Sequence, residues 1–247
     1  MSGAMTLAGF AALLFWMALL VVMGYLNDWA LARIFQSNRA HRLFVGVGVI
    51  VHEASHWAAC VLTRTEVFEV EMFEESGGHV KHERRGPVVM AFIGLAPILG
   101  SSLFLMLLVW LFGMGGVRFA PSGVDLEDPA ASFSGMLLSA GSTLWMNFSA
   151  LSAATALFVL FLYLAWSVVA CIAPSTPDLK HAFAGALMLA LACVLVIYLQ
   201  PLSFLGFGPT PALDFVGSRL ANTIGIGLIM SFIPLAIGLP AAWARSR

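Results

Sequence analysis

His52, Glu53, Ser55 and His56 stand inside VIVHEASHWAACVL, residues 49–62, an otherwise apolar run. On a helix, residues four apart share a face, so the imidazoles of His52 and His56 can reach one ion at about 2 Å. Glu53, one position beyond His52, can reach a water in an open coordination position, take its proton and pass it to a departing amine. The pattern is H-E-x-x-H, and the chemistry it supports is metal-assisted peptide hydrolysis. Ionisable side chains near the centre of a bilayer cost roughly a few to more than ten kcal/mol, so they are rare there without a task. The competing reading is a hydrogen-bonded histidine pair with no metal.

A catalytic zinc takes three protein ligands and leaves a fourth position for water. Asp28, Asp125, Glu127 and Asp128 read as loop residues, and the carboxylates from Glu66 to Glu83 belong to a charged segment, which leaves Asp178 and Asp214. Asp178 is the better candidate. It stands in APSTPDLK, residues 173–180, between two apolar runs, where prolines interrupt the helix and can hold a carboxylate facing the bundle. Its alternative role is to cap the following helix, with Ser175 or Thr176 sharing the task. His181 is a candidate for orienting Asp178. His41, His79 and His82 read as ordinary polar side chains. Zinc is the default ion, although the same ligands suit cobalt or iron.

These residues must be positioned by membrane helices. The 247 residues are 60% hydrophobic and 10% charged, against about a quarter charged in a soluble domain. Formal net charge is -1, which sets nucleic acid aside as a partner. Apolar runs at about 5–26, 43–63, 87–113, 147–172, 179–199 and 220–243 predict an all-α polytopic membrane protein with six spans. The run from Met5 to Tyr25 lacks a basic leader and exceeds a signal-peptide core in length, so it is expected to stay as a span. Pro97, Pro234 and Pro240 predict kinks whose freed carbonyls are satisfied by neighbouring helices. Gly46, Gly48, Gly94, Gly100, Ser101 and Ser102 would let helices pack closely. Cys60, Cys171 and Cys193 lie in apolar runs, and their odd number argues for core residues rather than disulfides.

After the second span, TEVFEVEMFEESGGHVKHERRG alternates apolar and charged residues through Phe68, Glu69, Val70, Glu71 and Met72. Period two predicts a short β-hairpin over about 65–84, with Gly77-Gly78 at the turn in positive φ. Its open edge, at Gly77, Gly78 and Val80, can pair with an extended peptide. The connection from Gly113 to about Ser142 reads as an exposed acidic loop leading into a weakly amphipathic stretch. Lys and Arg on the side of the termini (Arg64, Lys81, Arg84, Arg85, Lys180, Arg245, Arg247) outnumber those opposite (Arg33, Arg39, Arg42, Arg118, Arg219), which favours cytoplasmic termini in the cell membrane.

On His52, Glu53, His56 and Asp178 the chain resembles the site-2 proteases, intramembrane zinc metalloproteases with H-E-x-x-H on one membrane helix and an aspartate ligand on a later one. A glycine-turned hairpin directly after the motif helix adds to the likeness, which covers mainly 43–113 and 147–180. The family's later motif sets an asparagine and two prolines before Leu-Asp-Gly. Here Asp178 follows Ala-Pro-Ser-Thr-Pro and precedes Leu179, as in a divergent branch, and Ser175 or the backbone would replace the asparagine. The six apolar runs leave little room for a soluble domain, so a single integral membrane domain over 1–247 is expected, and the resemblance sets its catalytic core at 43–180. It also implies one zinc per chain and a transmembrane protein substrate that enters from the lipid bilayer and unwinds at the hairpin. Two other readings stand beside it. Membrane H-E-x-x-H enzymes with a glutamate third ligand are disfavoured, because no glutamate follows Glu127. A non-catalytic metal-binding protein or metal transporter would use the same ligands and would not need Glu53.

Overall fold

The computed structural model describes residues 22–27, 29–31, 38–74, 77–120, 128–149 and 151–172, with single residues at 34, 178, 236 and 240 and the pair 243–244. Six elements follow in chain order: α1 (Asn38–Leu62), β1 (Val67–Glu74), β2 (Gly77–His82), α2 (Pro87–Met114), α3 (Pro129–Phe148) and α4 (Ala153–Ala170). Among the described residues, three helices are long and apolar enough to cross a membrane, over His41–Leu62, Pro87–Met114 and Ala153–Ala170. They correspond to the second, third and fourth expected spans. Of the first span only its last residues are described, and the fifth and sixth lie outside the described residues but for isolated positions near the end of the sixth.

Helix α1 is the central element and packs on α2, on α4 and on both strands. Lipid supplies no hydrophobic drive between membrane helices, so close backbone approach through small residues must do that work. Two glycines do so here. A Cβ at Gly48 would overlap the Ser167 carbonyl oxygen, and one at Gly100 would overlap Ser55 Oγ. Gly48 also donates its N–H to Ser167 Oγ at 2.9 Å. Beyond this contact, Leu105 and Leu108 of α2 meet Phe158, Phe161, Ala165, Val168 and Val169 of α4 in a buried cluster.

The ends of these helices are set by local chemistry. Arg64 closes α1 in left-handed conformation (φ 53°), with Arg64 N–H to the Val61 carbonyl and Thr65 N–H to the Cys60 carbonyl. Gly116 does the same for α2 at φ 91°, with Val117 N–H reaching back to the Phe112 carbonyl; both are the paired bonds of a Schellman ending. Pro87 starts α2, and Pro97 lies inside it.

Helix starts refine two expectations. The weakly amphipathic part of the Gly113–Ser142 connection is helix α3, which begins at Pro129, where Asp128 accepts the Ala131 N–H at 2.9 Å and proline suits the first helical position. The fourth span begins at Ala153 rather than 147. Leu151 adopts φ 38°, and Ser152 and Thr155 form a reciprocal capping box.

The hairpin is present as two antiparallel strands, with Glu69 opposite Lys81, Val70 opposite Val80 and Glu71 opposite His79. Its glycines do not form the turn. Gly77 pairs with Glu74, so both glycines lie within β2, and Gly78 does not adopt positive φ.

Candidate metal centre

His52, Glu53 and His56 are all buried on α1, at 9%, 8% and 6% exposure. Each imidazole is tied to a backbone carbonyl from a different helix. His52 Nδ1 lies 2.7 Å from the Cys171 oxygen, just past the end of α4. His56 Nδ1 lies 3.0 Å from the Ile93 oxygen of α2. A carbonyl oxygen only accepts, so both Nδ1 atoms carry a proton, and in the neutral imidazoles that a metal needs both Nε2 atoms keep a lone pair.

Those lone pairs face Asp178. Its Oδ2 is 3.6 Å from His52 Nε2 and its Oδ1 is 3.4 Å from His56 Nε2, and the three side chains form a group that could hold a metal ion. Two bare ring nitrogens turned toward a carboxylate repel it unless a proton or a metal cation sits among them. The separations also fit one: with bonds of about 2.0–2.1 Å, ligand atoms of a tetrahedral zinc lie about 3.3 Å apart. The donor set, two imidazoles and a carboxylate, is one that zinc accepts. The structure thus brings together the three residues singled out as ligands from the sequence.

Glu53 is covered by the hairpin. A Cβ at Gly78 would fall 2.5 Å from Glu53 Cγ and 2.9 Å from Val49 Cγ1, so β2 lies on Glu53 with bare backbone. Among the other expected site residues, Val80 and Gly77 lie in β2, while Ser175, His181 and Asp214 lie outside the described residues.

With the geometry in place, the comparison with known families is direct. Residues 29–124 match the family model described as Peptidase M50B-like. The match is consistent with a site-2 protease family member and covers α1, the hairpin and α2. No curated protein and no solved structure matches the chain.

Three features of the site escaped sequence reasoning. The carbonyls of Ile93 and Cys171 are backbone atoms, the same in every residue. The contact of Gly78 with Glu53 was hidden by the commoner role of Gly-Gly at a turn. The third is on the hairpin, where His79 lies 3.8 Å from Glu69 and 3.9 Å from Glu71 and the three form a second, more exposed acidic group. The cross-strand register, applied to the alternation already visible, would have placed those side chains together. Lys81 Nζ bonds Glu69 at 2.5 Å and holds its carboxyl below the usual range.

Proposed function

We propose that this integral membrane protein is an intramembrane zinc metalloprotease that hydrolyses a peptide bond in or near a transmembrane segment of a membrane-protein substrate. The observation that carries the reading is the convergence of His52 Nε2, His56 Nε2 and the Asp178 carboxylate beside Glu53 on a membrane-spanning helix. Zinc held there supplies Lewis-acid polarisation of the scissile carbonyl and lowers the pKa of a bound water.

The protein's own groups do the rest. Ile93 and Cys171 keep both ligand imidazoles in the tautomer a metal needs. Glu53 takes the proton of the attacking water and delivers it to the leaving amine. Strand β2 lies on Glu53 through Gly78, so an extended substrate segment pairing along the hairpin at Gly77, Gly78 and Val80 would pass beside the base. Burial of His52, Glu53 and His56 strengthens each electrostatic contact within the site. The charge balance of the loops favours cytoplasmic termini, with the cell membrane as the expected location.

The test is Glu53→Gln in purified protein with a transmembrane substrate. Retained zinc with cleavage lost supports the assignment. Substantial proteolysis by that variant refutes it, and wild-type metal transport that tolerates Glu53→Ala would instead favour a transporter.

A further inference from the structure

In an α-helix the N–H of residue 97 would bond the carbonyl of residue 93. Residue 97 of α2 is proline, which has no N–H, so the Ile93 carbonyl lacks the i+4 donor of its own helix. Both residues are buried, and lipid or protein interior supplies no water to replace the lost bond. The donor that fills the gap is His56 Nδ1, at 3.0 Å. Four residues separate the proline from the carbonyl it frees, and that carbonyl is the one that holds the second histidine of the motif.

We propose that Pro97 is a positioning residue for His56: by withholding an N–H from the Ile93 carbonyl it reserves that acceptor for the imidazole, which fixes Nε2 as the bare, metal-facing nitrogen. The inference rests on the reading of His56 as a metal ligand. The chemistry is that of a partner behind a ligand, which sets ring orientation and tautomer and whose loss typically costs about 10–100-fold in metal affinity. The same end is reached for His52 without a proline, because Cys171 lies beyond the last residue of α4 and its carbonyl has left the helical ladder.

A purely structural proline makes the opposite prediction. Proline inside a helix is unfavourable relative to alanine, so Pro97→Ala would stabilise α2 or leave it unchanged, with metal binding untouched. If Pro97 reserves the carbonyl, the restored N–H competes with His56 and zinc binding weakens while the apo fold holds.

The experiment measures zinc affinity by chelator competition, and apo thermal midpoint, for wild type, Pro97→Ala, His56→Ala and a protein in which lactic acid replaces Pro97. Lactic acid makes an ester at this position and, like proline, has no N–H, but it lacks the ring. The expected result is a 10–100-fold weaker zinc site in Pro97→Ala with an unchanged or higher apo midpoint, and near wild-type affinity in the ester. Equal affinity in wild type and Pro97→Ala overturns the proposal while His56→Ala still reports on the ligand. Loss in the ester equal to that in alanine overturns it too, because the ring would then be what matters. Failure of Pro97→Ala to fold overturns the proposal as well, because restoring one helical N–H should leave the apo fold intact. A wild type that binds no zinc overturns this inference together with the reading beneath it.

Discussion

Gly78 lies against Glu53 so closely that the Cβ of any other residue would stand 2.5 Å from Glu53 Cγ and 3.1 Å from its Cδ. The contact joins two elements that are separate in sequence, the motif helix and the second strand of the hairpin, and it places the base under a backbone rather than under a side chain. A substitution there must move either the strand or the carboxylate.

Gly78→Ala is therefore expected to lower peptide cleavage about 100-fold, since a misplacement of about 1 Å is enough for that loss. Zinc content should stay at the wild-type level, because the three ligand side chains lie elsewhere. Parallel assays of cleavage and bound metal check both halves. Unchanged cleavage would mean that the strand yields and that Glu53 does not depend on it.

For Glu53→Gln the proposed role as general base and acid predicts a rate loss of about 10²–10⁴-fold with the metal retained. Single-turnover cleavage of a labelled transmembrane substrate measures it. The amide keeps the shape of the carboxylate and removes only its capacity to accept and return a proton.

Helix contacts give a stability prediction of opposite sign at two glycines. Gly48 touches the Ser167 backbone oxygen, so Gly48→Ala should destabilise by about 1–3 kcal/mol through overpacking. At Gly141 in α3 an added methyl would meet nothing within 4 Å among the described residues, so Gly141→Ala should stabilise by up to about 1 kcal/mol. Thermal unfolding in detergent compares the two directly. Similar shifts at both positions would contradict the close α1–α4 approach.

The hairpin carries a pH dependence of its own. Glu69, held by Lys81, has its carboxyl below the usual 4.5, so its pairing contributes above the unfolded value and is lost as pH falls through the lower folded value. Carboxyl NMR titration of Glu69 should show a low midpoint that rises toward 4.5 in Lys81→Ala. An unmoved midpoint would place the cause elsewhere. The Glu69 side chain is solvent-accessible, so the effect on global stability should be small.

Much of the site was legible because its chemistry sits on a short period. His52, Glu53 and His56 follow from helical spacing alone, and Asp178 follows once loop carboxylates are set aside. The strands of the hairpin show in the alternation from Phe68 to Met72, but the function of Gly78 does not, since a glycine needed for close approach and one needed for a turn look alike. The carbonyls of Ile93 and Cys171 carry no sequence signal, although Pro97 marked one of them indirectly as a helix bond that must go elsewhere. Helix α3 was obscured by its Ser, Gly and Ala content, and the Asp128-Pro129 pair that starts it was the cue that went unused. Six spans rest on hydropathy, of which the described residues contain three.

The central claim is a metal held by His52, His56 and Asp178, and elemental mass spectrometry of the purified protein tests it most directly. Wild type should carry close to one zinc per chain, Asp178→Ala should lose it, and Asp214→Ala should keep it. A well-folded wild type that binds no zinc after it is supplied, or an Asp178→Ala protein that keeps a full complement, would contradict the account.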